Sequence, residues 1–156
     1  MTHLKVAFLF FVLCFLMPSF SFAQLVQHED GKFYNNEGKP YSGVYIEYYP
    51  TGSKRVEMNL VEGQKHGRTT LYFKNDSIQE IRSFYQDLMD GTWITFNDKS
   101  VRVGEANYLK GLKHGKWFIW DDNGVLRYEM EYRDGIKTGT WKIWNEKGVI
   151  VNEKTY

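Results

Sequence analysis

The chain reads as all-β: an elongated single-layer antiparallel meander of tandem β-hairpin repeats. Three observations predict this. Gly43, Gly67, Gly91, Gly115 and Gly139 recur every 24 residues without an insertion. Aromatic and β-branched residues recur at fixed offsets from them: Tyr45, Thr69, Trp93, Trp117 and Trp141, then Tyr48, Tyr72, Phe96, Trp120 and Trp144, then Leu60, Phe84, Tyr108, Tyr132 and Tyr156. Between these runs lie turn formers, with Gly52, Asp76, Ser100, Gly124 and Gly148 in one row. Runs rich in strand formers, bounded by turn signals at one spacing, are the signature of stacked hairpins.

The elements follow in order. Residues 1–23 read as a secretory signal, with Lys5 at the positive end, an apolar stretch from Val6 to Met17, and Ser21-Phe22-Ala23 before a cleavage point at Gln24. Twelve apolar residues span only about 18 Å as a helix, short of a hydrocarbon core of roughly 30 Å. Residues 24–42 read as a cap, with Phe33 and Tyr34 in a short strand and a turn from Asn35 to Pro40. Five repeats follow, at 43–66, 67–90, 91–114, 115–138 and 139–156. The expected export places the mature chain in a periplasmic or extracellular space.

A register can be written for the clearest unit, residues 115–138. A four-residue turn at Asp121–Gly124 sets Trp120 against Val125, Ile119 against Leu126, Trp117 against Tyr128 and Lys116 against Glu129. A second turn at Asp134–Lys137 sets Met130 against Trp141. One face then carries Trp117, Ile119, Leu126, Tyr128, Met130 and Tyr132. The other carries Lys116, Phe118, Trp120, Val125, Arg127, Glu129 and Glu131. Aromatic and opposite-charge pairs across strands contribute roughly 0.2–1 kcal/mol each.

Charge excludes one partner class. The chain has 20 basic and 19 acidic residues, and Lys5 falls in the removed segment, so the mature chain is neutral. No basic stripe exists to neutralise phosphates, and nucleic acid is not an expected partner. Cys14 is the only cysteine and also lies in the removed segment, preceded by Leu13 rather than the small residue lipidation needs. Neither a disulfide, a cysteine nucleophile nor a cofactor is expected of the mature chain.

The pattern G-x-x-x-G-x-W-x-x-W-(D/N)-x-x-G is carried by residues 111–124 and 135–148. It is similar to that of the MORN-repeat variant family, including bacterial YwqK-like proteins labelled as antitoxins. The resemblance spans about residues 38–156, close in the last two repeats and weaker over 67–86, where Thr69 replaces the aromatic and Asp76 the glycine. It implies a hairpin array used for binding or scaffolding, and it supplies no catalytic residues.

Other chemistry fits the residues less well. His66 and His114 stand two repeats apart, about 19 Å by strand spacing, too far to share a zinc ion. Glu57, Glu105, Glu129 and Glu153 form a ladder interrupted by Ile81. Its members are about 10 Å apart, beyond the roughly 6.5–9.5 Å of an inverting glycosidase pair. The turn Asp121-Asp122-Asn123-Gly124 lacks the ligand spacing of a calcium loop. Asn75-Asp76-Ser77 is a formal glycosylation acceptor on a turn.

All five tryptophans lie in the last three repeats. They serve either the architecture of a sheet without a second layer, or a contact surface. The candidate contact residues are Trp117, Tyr128, Met130, Trp141 and Ile143. The expected function is an exported, non-catalytic binding or scaffold module whose partner is a protein or an envelope polymer. The alternative is an immunity or antitoxin protein acting on an exported toxin. Membrane-surface binding ranks last, because no cluster of Lys and Arg is present for anionic lipid.

Overall fold

The computed structural model describes residues 25–156. The expected signal segment, 1–23, and the cleavage point at Gln24 lie outside the described residues. The cap contributes β1 (Val26–Gln27) and β2 (Phe33–Tyr34), paired antiparallel. The repeats contribute β3 (Gly43–Tyr48), β4 (Lys54–Val61), β5 (Gln64–Tyr72), β6 (Ile78–Tyr85), β7 (Leu88–Met89), β8 (Gly91–Phe96), β9 (Arg102–Leu109), β10 (Leu112–Lys113), β11 (Gly115–Trp120), β12 (Leu126–Arg133), β13 (Ile136–Trp144) and β14 (Ile150–Thr155). Ten of these run in chain order across one antiparallel sheet from β3 to β14, with β7 and β10 as short extensions on β6 and β9. The predicted meander is the observed fold.

The first four repeats share the same two turns, and the fifth has the first of them. At the hairpin tip, the first and fifth residues close the loop; Asp121 N–H donates to the Val125 carbonyl at 2.9 Å, and Gly124 N–H to the Asp121 carbonyl at 2.9 Å. The fourth residue takes positive φ in all five tips: Gly52, Asp76, Ser100, Gly124 and Gly148. This is a three-residue hairpin loop, a type I turn followed by a left-handed residue. Asn97, Asp121 and Asn145 open the last three tips, and the Oδ1 of each accepts two backbone N–H groups within its own loop. Those two N–H groups, from Val125 first and Asn123 after it, with Arg127 nearby, hold the Asp121 carboxyl below the ordinary aspartate range.

Between repeats the turn has two central residues, both at positive φ: Glu62-Gly63, Gln86-Asp87, Lys110-Gly111 and Asp134-Gly135. Such turns match the right-handed twist of the flanking strands. They also stack on one another. Gly135 N–H donates to the Lys113 carbonyl at 2.8 Å, Gly111 N–H to that of Met89 at 2.7 Å, Asp87 N–H to that of Lys65 at 3.0 Å, and Gly63 N–H to that of Tyr41 at 2.8 Å. The second, third and fourth repeats are thereby tied to the one before, and the first to the cap, along the turn column as well as through the strand ladder.

The predicted register is corrected by two residues. The structure pairs Trp117 with Met130, Phe118 with Glu129, Ile119 with Tyr128 and Trp120 with Leu126. The left-handed tip residue adds one position, and a bulge at Arg127, between the last two pairs, adds another. Two single slips restore the parity, so the side chains keep their predicted faces although their partners change. Leu126 leaves its predicted face, standing opposite Trp120 rather than Ile119, and Val125 now stands opposite Asp121 rather than Trp120. The second turn is also shorter than predicted, closing at Arg133 and Ile136. A compensating irregularity follows beside Gly139, so Tyr128 faces Ile143 and Glu129 faces Lys142, with Met130 at the register shift.

A single-layer sheet buries little. Leu25, Phe33, Met58 and Leu60 make the one cluster of buried apolar side chains among the described residues, with Tyr41, Tyr45 and Val56 against it. The cap therefore lies over one face of the first repeat. Phe33 N–H donates to the Gly63 carbonyl at 2.9 Å, and a Cβ on Gly63 would come within 2.8 Å of the Phe33 carbonyl oxygen. The outer edges of β3 and β14 pair with no strand of the described residues.

Ser100 sits at φ 61° in a turn position that glycine fills in three other repeats. A side chain there costs roughly 1–2 kcal/mol, partly offset by the extra unfolded-state entropy of glycine. Ser100→Gly is expected to stabilise the protein by about 0.5–1 kcal/mol, read as a higher urea midpoint. An unchanged or lower midpoint would show that the tip conformation carries no strain.

Candidate binding face

The repeat glycine and the tryptophan two residues later work together. Gly91, Gly115 and Gly139 take positive φ where the ladder between consecutive repeats is interrupted. In that gap the indole N–H of Trp93 donates to the Ser83 carbonyl at 3.1 Å, that of Trp117 to Asn107 at 2.9 Å, and that of Trp141 to Glu131 at 3.1 Å. A bent backbone thus seats each indole flat along the sheet and leaves its polar edge satisfied.

The rings then form one continuous row. Centroids are 5.6 Å apart for Phe84–Trp93, 5.0 Å for Trp93–Tyr108, 5.1 Å for Tyr108–Trp117, 5.3 Å for Trp117–Tyr132, 5.2 Å for Tyr132–Trp141 and 4.8 Å for Trp141–Tyr156, all tilted. This spacing and tilt are the favourable range for aromatic pairs. The row starts at repeat two because Leu60 and Thr69 hold its positions earlier. Thr69 is buried, and its hydroxyl has no hydrogen-bond partner. Burial pushes the Tyr108 phenol up, against a smaller downward pull from Arg82.

Beside the ring row, the last two repeats enclose an apolar hollow of about 410 Å³. Tyr128, Met130, Trp141 and Ile143 line it, joined by Ile119 and Tyr156. Four of the five predicted contact residues therefore share one depression. Trp117 lies on the same face but lines the neighbouring hollow of about 280 Å³ with Trp93, Tyr108 and Ile119. That second hollow exists because Gly104 and Ala106 occupy the places that Tyr128 and Met130 take one repeat later. The sequence reading did not include Tyr156, Asn152 and Lys154 in the site. Their signal was the 24-residue equivalence itself, which puts Asn152 and Lys154 where Tyr128 and Met130 stand.

The opposite face is tied up in ion pairs. Lys54 meets Glu57 at 2.7 Å, Arg102 meets Glu105 at 2.7 Å, Lys116 meets Glu129 at 2.6 Å, Arg127 meets Asp121 at 3.6 Å and Lys142 meets Glu153 at 3.7 Å. The predicted Lys116–Glu129 contact forms diagonally, since the direct partner of Lys116 is Glu131. The hydrogen bond that Lys116 donates to the Glu129 carboxylate raises the Lys116 ammonium above its ordinary range. Arg102 covers Trp120 at 4.3 Å, and Arg127 donates to the Trp144 carbonyl at 2.9 Å. His114 meets Asp134 at 3.2 Å, and His66 lies against the Tyr85 ring at 4.9 Å.

The MORN repeat variant family matches residues 41–61 and 113–134, which are parts of the first and fourth hairpins with their approaches. No curated protein matches the chain.

Proposed function

We propose that the protein is a non-catalytic binding module, exported to an envelope or extracellular space, which acts through the ring face of its last two repeats. The observation that carries this reading is the open apolar hollow around Tyr128, Met130, Trp141 and Ile143. In the first repeat the same face is covered by Leu25 and Phe33 of the cap, whereas over repeats four and five nothing among the described residues covers it. Ile119 and Tyr128 are 43% and 40% exposed there, large side chains left in water on a surface whose opposite face is ion-paired. Exposed apolar surface rimmed by polar groups marks contact sites. MORN repeats in two hairpins support a scaffold role of this kind.

The test uses the protein isolated from its native envelope fraction, where intact mass should place its first residue at Gln24. Immobilised, it should retain an envelope component that the Ile119→Glu variant does not retain, with the melting temperatures of the two within a degree or two. Retention that survives Ile119→Glu would move the contact surface elsewhere. A product that keeps Met1 would remove export from the reading.

A further inference from the structure

Over the last two repeats the two faces differ in their unpaired charge, and that difference bears on the chemistry of a partner. On the ring face, Lys113 of the third repeat reaches over the fourth, 4.4 Å from the Trp117 ring and 4.9 Å from that of Tyr132. Lys137 lies 4.6 Å from Trp141 and 5.1 Å from Tyr156, and Lys154 lies 4.9 Å from Tyr156. None of the three is in an ion pair with a described carboxylate, and all three side chains are exposed. The strand carboxylates of the same face, Glu47 and Glu80, belong to the first two repeats and are each tied to an arginine, Arg55 and Arg82. Around the hollow, the unpaired side-chain charge is therefore positive, on an aromatic bed.

We propose that this face takes an extended acidic segment of another polypeptide, with one apolar side chain in the hollow and carboxylates over the lysines. The proposal rests on the reading of the ring face as the contact surface. Polypeptide already lies on this face at the other end of the sheet, where cap residues Leu25 and Phe33 pack on Met58 and Leu60.

Spacing narrows the conformation. Lys113 and Lys137 are equivalent residues of consecutive repeats, two strands apart, or about 10 Å. A polyproline-II segment has three residues per turn and rises about 3.1 Å per residue, so every third side chain returns to one side after about 9 Å. A β-strand returns its side chains every second residue at about 7 Å and does not match. Aromatic-lined grooves are the surfaces on which polyproline-II segments dock. An anionic membrane is a poorer fit, since it calls for a compact cluster of Lys and Arg, whereas Lys65, Lys113, Lys137 and Lys154 are strung out along one row.

The experiment titrates the purified protein with fluorescent nine-residue proline-rich peptides. One carries Glu at positions 1, 4 and 7 with a Leu beside the central Glu, one carries Gln at those positions, and one carries Glu at 1, 3 and 5. Phosphatidylserine vesicles form a fourth probe. The 1,4,7 Glu peptide should bind at least tenfold more tightly than the Gln peptide and than the 1,3,5 peptide, with affinity falling as salt rises. Lys113→Gln with Lys137→Gln should erase that advantage, and Lys113→Arg with Lys137→Arg should keep it. Equal binding of the Glu and Gln peptides, both lost in Ile119→Glu, would overturn the acidic specificity while leaving the contact surface standing. Glu-peptide binding that survives Ile119→Glu would overturn both. Vesicle binding without peptide binding, or binding of neither, would overturn the proposal.

Discussion

Tyr132→Ala is expected to cost about 3 kcal/mol or more of stability, whereas Tyr156→Ala, at the end of the same row, should cost about 1 kcal/mol. Tyr132 is 9% exposed and lies between Trp117 at 5.3 Å and Trp141 at 5.2 Å, with Lys113 over its ring. Tyr156 is 44% exposed and touches the single indole of Trp141. Removing the interior ring takes away two aromatic contacts and opens a gap that rigid flanking indoles, held by their N–H bonds to Asn107 and Glu131, close poorly. Domains are stable by only about 5–15 kcal/mol, so this is a large fraction. In a linear array the loss falls on the interface between repeats four and five. Hydrogen exchange should therefore rise first in residues 139–156, before the first two repeats respond. Equal losses for the two variants would show that the ring row is not the element that couples the repeats.

The architecture was legible because the 24-residue period repeats at every level. The same rows of glycine, aromatic and turn residues that reveal the period in the sequence recur as bulges, a ring row and hairpin tips in the structure. Faces could be assigned from parity alone, and Trp117, Ile119, Tyr128, Met130 and Tyr132 fall on one side as expected. Partners could not, because pairing depends on where extra residues enter. Asp121 and Arg127 look like ordinary turn and strand residues, and only the closed loop fixes that two positions are absorbed between Ile119 and Tyr128. The ring row was also hidden. Cross-strand reasoning coupled Trp117 to Tyr128, but the indole lies between Tyr108 and Tyr132, which sit on its flanking strands. The hollow was half visible: its apolar walls follow from the period, while its openness depends on the absence of a covering layer, a property of the whole sheet.

Tyr128→Ala and Trp141→Ala are expected to separate contact from architecture, although the two residues line one hollow. Trp141 is built into the sheet. Its ring stacks on Tyr132 and Tyr156, its N–H donates to the Glu131 carbonyl, and Lys137 lies over it. Tyr128 is 40% exposed and makes no ring contact or side-chain hydrogen bond with the described residues; its strand partners on that face are Ile119 and Ile143. Tyr128→Ala should therefore weaken partner binding by about 2 kcal/mol or more, some thirtyfold, with only a small change in melting temperature. Trp141→Ala should lower stability by about 3 kcal/mol and weaken binding as well. Measured as a double-mutant cycle, binding and stability should then fail to track one another, because the two side chains contribute to different terms. If instead Tyr128→Ala leaves binding intact while Trp141→Ala collapses the fold, and the fraction still folded binds normally, the ring face is architecture alone. The contact surface would then lie at the hairpin tips, where Asp122 and Asn123 present the exposed polar groups of the fourth repeat.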